Sequence, residues 1–67
     1  MKKYIVLKPI TTTNDKLLVD EDIIYIDELL KTNSYGNKYT EIKVYSSITR
    51  QYIGNLLNVD NLKLEED

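Results

Sequence analysis

The 67-residue sequence contains no cysteine and no histidine, and both absences limit its chemistry. Without cysteine there is no disulfide framework, no thiolate metal ligand and no thiol nucleophile. Without histidine the commonest general base and the commonest metal ligand are also missing. With only two glycines, the chain has no glycine-rich loop that would hold a phosphate. These absences predict a non-enzymatic protein that has neither a metal site nor a cofactor.

Long apolar runs are also absent. The first apolar run, from Tyr4 to Leu7, ends at Lys8 and Pro9 and is too short for a signal peptide or a membrane span. Together with the absence of cysteine, this predicts a cytoplasmic protein that does not bind a membrane. The formal net charge of −2 gives no general preference for a polyanion.

The length and composition predict one small folded domain covering residues 1–67. An apolar content of 42% is sufficient for a core, and a chain of this length has room for only one. The acidic tail, residues 65–67, is expected to fray. A domain this small is often stabilised by self-association or by a partner, so oligomers are compatible with the sequence.

Short segments rich in β-branched and aromatic residues predict an all-β fold. The alternation is clearest from Tyr39 to Tyr45. One face of this segment carries Tyr39, Glu41, Lys43 and Tyr45, and the other carries the β-branched residues Thr40, Ile42 and Val44. Five strands are predicted, at residues 3–7, 22–27, 39–45, 51–54 and 62–64.

Residues 28–38 are predicted to form a long hairpin connection, in which Asn33 and Gly36 are the turn residues that can adopt positive φ at low cost. Residues 55–58 are predicted to form a short helical turn. An amphipathic helix over residues 21–31 is the alternative for the second strand.

Several phrases in this order resemble the SH3-like barrels. They are Leu7-Lys8-Pro9, Asp22-Ile23-Ile24-Tyr25, Ile42-Lys43-Val44-Tyr45 and Tyr52-Ile53-Gly54. The sequence looks most like the small SH3-like proteins of phages and mobile elements of low-GC bacteria. This resemblance implies a five-stranded SH3-like barrel with one short helical turn. Glu21 stands where such barrels usually carry glycine, and the absence of tryptophan argues against a reader of proline-rich peptides.

Six tyrosines and a group of acids supply the candidate partner-binding residues. Tyrosine combines a large contact area with a polar tip, and it is enriched at binding hot spots. Tyr35 and Tyr39 flank Gly36 and are expected to be exposed, whereas Tyr4, Tyr25, Tyr45 and Tyr52 are expected to cap the ends of the core. The acids, which are expected to form an electronegative patch, are Asp20, Glu21, Asp22, Asp27 and Glu28.

These residues predict an interaction module that binds a larger host or phage protein and modulates or inhibits it. The alternative is a binder of single-stranded nucleic acid or ribonucleoprotein through Tyr39, Lys43, Tyr45 and Arg50. An ordinary solvated sheet face explains the same four residues without any ligand. A second alternative is a homo-oligomer formed by pairing of edge strands.

Overall fold

A computed structural model describes residues 1–65 and shows seven β-strands and no helix in that part of the chain. The strands are β1 (Lys2–Val6), β2 (Ile10–Thr11), β3 (Leu17–Leu18), β4 (Ile23–Thr32), β5 (Lys38–Ser46), β6 (Tyr52–Leu56) and β7 (Leu62–Glu65). The all-β prediction is therefore confirmed. The last two residues of the expected acidic tail, Glu66 and Asp67, lie outside the described residues, while Glu65 belongs to β7.

Five of the strands form one antiparallel sheet in the order β6-β5-β4-β1-β7. Strands β1, β4, β5 and β6 lie side by side in the sheet in the order in which they occur along the chain, and β7 returns to pair with β1. The short strands β2 and β3 form a separate hairpin in the segment between β1 and β4. The edge strands β6 and β7 do not pair with each other within residues 1–65, so no closed barrel is found there.

One face of the sheet carries the core, because alternate residues of each strand point to the same side. The most completely buried side chains are Val6, Ile24, Ile26 and Val44, each no more than 2% exposed. Tyr4, Leu18, Ile42, Leu56 and Leu62 complete this cluster. The small β2–β3 hairpin contributes Leu18 and thereby covers part of the core face.

Three local predictions were wrong. Residues 28–32 continue β4 rather than starting a loop, so the hairpin connection shortens to residues 33–37. The alternative of a helix over residues 21–31 fails for the same reason. No helical turn forms at residues 55–58, because Asn55 and Leu56 pair with Lys43 and Ile42 as part of β6. For the two helical predictions, pairing with a neighbouring strand satisfies backbone groups that a helix would have paired locally.

Candidate functional site

The two longest strands, β4 and β5, extend beyond the rest of the sheet as a two-stranded hairpin. Pairing of β1 with β4 ends at the Lys2 and Ile26 pair, and pairing of β6 with β5 ends at Leu56 and Ile42. The register of β4 with β5 nevertheless continues to Thr32 and Lys38. We call residues 29–41 the arm. Among the described residues, the two strands of the arm pair only with each other.

The turn at the end of the arm is closed by the side chain of Asn33. Its Oδ1 accepts hydrogen bonds from the backbone N–H groups of Tyr35 and Asn37, each at 2.9 Å. The backbone N–H of Gly36 donates to the carbonyl of Asn33, and Gly36 adopts a φ of 84°. Glycine takes this conformation without the steric cost of a Cβ. The predicted roles of Asn33 and Gly36 in a turn are confirmed, although only Gly36 has positive φ.

Apolar and aromatic side chains on the arm are exposed to solvent. Tyr35 at the tip is 88% exposed, Leu30 on β4 is 71% exposed and Tyr39 on β5 is 51% exposed. The expectation that Tyr35 and Tyr39 are exposed is therefore confirmed. Leu30 was not singled out from the sequence, because the Glu28-Leu29-Leu30-Lys31 segment gives no indication of which leucine a strand would expose.

The five acids of the expected electronegative patch do not lie on one surface. Asp20, Glu21 and Asp22 occupy the turn before β4, where Asp22 Oδ2 accepts a 2.9 Å hydrogen bond from the backbone N–H of Val19. The ten residues of β4, at about 3.3 Å each, separate this turn from the tip of the arm by about 30 Å. Asp27 and Glu28 are adjacent in β4 and therefore point to opposite faces of the sheet.

Glu28 lies on the same side of the sheet as the core and contacts Tyr4. The Tyr4 hydroxyl donates a 3.3 Å hydrogen bond to Glu28 Oε1, and the ring of Tyr4 is buried in the core. Burial, followed by the negative charge of Glu28 and this hydrogen bond, raises the pKa of the Tyr4 phenol above its ordinary value of 10.0. Tyr4 is thus part of the core, with its polar end directed at a carboxylate instead of water.

The face opposite the core, which we call the outer face, carries Tyr39 on the arm and three further tyrosines at neighbouring positions of adjacent strands. Tyr25 of β4 pairs with Tyr45 of β5, and Tyr45 pairs with Tyr52 of β6. The rings of Tyr45 and Tyr52 meet edge to face, with centroids 5.8 Å apart and planes at 63°. These three tyrosines do not cap the ends of the core as expected, since they lie on the side of the sheet that faces away from it.

Two cations lie against these tyrosine rings. The Arg50 guanidinium carbon is 4.3 Å from the centroid of the Tyr25 ring, and Lys43 Nζ is 6.0 Å from the centroid of the Tyr52 ring. Both distances are within the range of cation–π attraction. Of the four residues in the nucleic-acid alternative, the structure therefore brings Lys43, Tyr45 and Arg50 into one cluster. Tyr39 lies on the arm and is not in this cluster.

A polar group joins the tyrosines to the base of the arm. Asn55 Nδ2 donates a 3.1 Å hydrogen bond to Glu41 Oε1, and the Tyr52 hydroxyl donates to Asn55 Oδ1. Lys31 Nζ lies 3.6 Å from Glu41 Oε2. The hydrogen bond from Asn55, followed by the positive charges of Lys43 and Lys31, lowers the pKa of the Glu41 carboxyl. Glu41 is therefore held in its ionised form between β4 and β6.

Tyr25 and Tyr52 were missed as site residues from the sequence. The signal for Tyr25 is the register, because partners in β4 and β5 are symmetric about Tyr35, which places Tyr25 opposite Tyr45. A turn centred at Tyr35 is enough to find this pair, and the alternation in β5 then assigns both rings to the outer face. Tyr52 has no such signal, because its pairing with Tyr45 follows a register shift between Val44 and Tyr45.

Metal-binding groups and membrane-spanning helices are both missing from residues 1–65. No group of three or more acidic side chains is arranged there to hold a metal ion. That part of the chain also has no helix long and apolar enough to cross a membrane.

The comparisons with known proteins returned no match, whether with family models, with curated proteins or with solved structures. Function is therefore inferred from the geometry and chemistry of the chain itself.

Proposed function

We propose that the protein is a non-enzymatic interaction module that binds a larger protein through the arm and modulates or inhibits it. The observation that carries this proposal is the extension of β4 and β5 beyond the core, with Leu30, Tyr35 and Tyr39 exposed on it. The notion of a host or phage protein as the partner comes from the sequence resemblance alone.

The exposed arm residues contribute little to folding. A two-stranded hairpin on its own is marginally stable in water, and side chains that remain exposed gain no burial energy from the fold. Burying apolar surface contributes about 25 cal/mol for each Å². Leu30 and Tyr39 lie on opposite faces of the arm, so a partner that encloses both faces and the tip would supply this burial. Tyrosine is among the residues that dominate binding energy at interfaces.

The shape of the arm favours insertion into a partner's groove or pairing with its sheet edge. In residues 29–41 both outer backbone edges are without a pairing strand, which is the geometry that β-augmentation uses. Lys31 and Lys38 also lie on the arm, at positions that pair with Tyr39 and Thr32. Lys31 is already ion-paired with Glu41, whereas the charge of Lys38 favours a partner surface that places an acidic group beside an apolar centre.

We also propose that the sheet is an open form of the SH3-like fold. The order β6-β5-β4-β1-β7 supports this, because four strands follow one another as a meander and the last returns to the first. The long segment between β1 and β4, which holds the β2–β3 hairpin, fits the long first connection of such barrels. This proposal concerns the fold and does not itself imply a function.

The test is affinity capture from nuclease-treated lysate of the natural host, comparing the wild-type chain with a Tyr35→Ala, Tyr39→Ala double variant. We expect at least one protein that the wild type retains and the double variant loses. Leu57→Ala is the matched control, because Leu57 is 92% exposed in the segment between β6 and β7 and lies outside the arm.

The retained protein must then bind the purified chain directly, in a titration followed by calorimetry. Equal capture by the wild type and the double variant contradicts the proposal, as does loss of capture on Leu57→Ala. Light scattering addresses the self-assembly alternative. A dimer that the double variant converts to a monomer would show that the arm binds a second copy of the chain instead of a different protein.

A further inference from the structure

The outer face holds a row of aromatic rings that the fold does not use as a core. Tyr25, Tyr45 and Tyr52 sit at neighbouring register positions of β4, β5 and β6. Adjacent strands are about 4.8 Å apart, so the row spans about 10 Å across the sheet. Tyr52 remains 45% exposed, and Tyr25 and Tyr45 are half-buried. An outward sheet face in a small antiparallel protein is ordinarily polar, so this row requires a separate explanation.

The cations of the chain are concentrated on the same face. Strand registers and ring contacts place five of the nine cations there, together with three of the eleven acids. The cations are Lys3, Lys31, Lys43, Arg50 and Lys63, and the acids are Asp27, Glu41 and Glu65. Lys31 and Glu41 belong to the arm, and without them four cations and two acids remain. Although the whole chain has a formal net charge of −2, its outer face therefore has an excess of positive groups. This excess favours an anionic ligand for this face.

We propose that the outer face binds single-stranded nucleic acid, independently of the arm. Unpaired bases stack on tyrosine rings and on arginine guanidinium planes, while lysine and arginine side chains neutralise phosphates. Tyr45, Tyr52 and the Arg50 guanidinium above Tyr25 supply three such stacking surfaces. Lys43, beside the Tyr52 ring, supplies a positive charge next to one of these surfaces that can neutralise a phosphate.

The row of rings favours unpaired strands over a duplex and has room for only a few nucleotides. In a duplex the base faces are already stacked on each other, so the rings of a sheet face cannot reach them. A row of three surfaces holds two or three nucleotides, which predicts weak binding with little sequence preference. Since both DNA and RNA offer bases and phosphates, the shared ligand chemistry is an unpaired oligonucleotide, and the experiment separates the two.

The first measurement is fluorescence anisotropy of labelled oligodeoxyuridylate and oligouridylate of about 12 nucleotides, titrated with the full chain. A duplex of the same length is the third probe. We expect both single strands to bind more tightly than the duplex. For two or three neutralised phosphates, the logarithm of the binding constant should fall with the logarithm of salt concentration at a slope of about −1.4 to −2.1. A difference between the two single strands would show whether the 2′-hydroxyl contributes.

Variants of the row then test the contacts. Tyr52→Ala and Tyr45→Ala should each weaken binding by about 5-fold or more, because each removes one stacking surface. Tyr45→Phe keeps the ring and should bind like the wild type. Arg50→Asn removes the guanidinium while tolerating the φ of 61° at this position, and it should also weaken binding. Lys8→Gln removes one charge from the segment between β1 and β2 and is the charge-matched control.

Circular dichroism of each variant establishes that it is folded before its binding is compared. The proposal is overturned if no single strand binds at low salt, if the duplex binds as tightly as the single strands, or if Lys8→Gln weakens binding as much as Arg50→Asn. Tyr45→Ala and Tyr52→Ala binding like the wild type would also overturn it. None of these outcomes depends on the arm, so the proposed protein partner is tested separately.

Discussion

Thr12 and Gly54 are in direct contact, and this contact joins the β2–β3 hairpin to strand β6. The Thr12 hydroxyl donates a 2.8 Å hydrogen bond to the carbonyl of Ile53, and it accepts from the backbone N–H groups of Asn14 and Lys16 at 3.3 Å. A Cβ atom at Gly54 would lie 2.5 Å from Thr12 Oγ1. Thr12 is only 3% exposed, and these three hydrogen bonds hold its side chain in place.

Gly54→Ala is expected to destabilise the whole fold. The added methyl group would collide with Thr12, and the φ of 120° at this position is one that alanine rarely adopts. Overpacking of a buried site costs about 1–3 kcal/mol, and backbone strain adds to it. The measurement is the urea midpoint of unfolding. Gly36→Ala is the comparison, since no atom lies within 4 Å of its Cβ position and it should cost less. Equal midpoints for the two variants would contradict the role of the Thr12 contact.

Asn33→Ala should loosen the arm while leaving the core intact. The variant loses the oxygen that accepts from Tyr35 and Asn37, so the turn opens more often. Amide hydrogen exchange should become faster in residues 29–41 and stay unchanged at Ile26 and Val44. Asn33→Asp retains an acceptor oxygen and is the matched control. Faster exchange throughout the sheet would show that the arm does not open as a separate unit.

Ionisation of the Tyr4 phenol should lower the free energy of unfolding at alkaline pH. Because its pKa is raised in the folded state, folded Tyr4 holds its proton more tightly than unfolded Tyr4 does. The resulting stabilisation is complete below pH 10.0, the ordinary value, and is lost as pH rises through the folded pKa. Urea midpoints measured across this range should decline more steeply for the wild type than for Tyr4→Phe. Parallel declines would show that ionisation of Tyr4 is not linked to unfolding.

The sequence predicted correctly those elements whose signals lie within a few neighbouring residues. The alternation from Tyr39 to Tyr45 predicted β5, and Asn33 with Gly36 indicated the turn, since both signals arise within a few residues. The end of β4 was missed because Glu28-Leu29-Leu30-Lys31 has good helix propensity, and only pairing with residues 39–42 makes it a strand. The helical turn at residues 55–58 was wrong for the same reason.

The candidate site residues also divide into those predictable from neighbouring residues and those brought together only by contacts between distant segments. Exposure of Tyr35 and Tyr39 was predictable from their position beside a glycine turn. The outer-face cluster was only partly predictable, because Arg50 reaches Tyr25 across a distance of 25 residues in sequence. The acids were grouped by their closeness in sequence, yet the alternation of side chains in a strand sends Asp27 and Glu28 to opposite faces. Contacts between distant segments therefore require the register of the sheet.

The tip of the arm has a consequence for protein engineering. Residues 33–37 are all exposed, and four paired residues on each strand separate them from the sheet by about 13 Å. A foreign peptide grafted between Tyr35 and Gly36 would close its loop on strands already held in register, and the entropy of loop closure rises only slowly with length. The molecule is thus suited to serve as a display scaffold, in which the grafted sequence is varied while the folded body is kept constant.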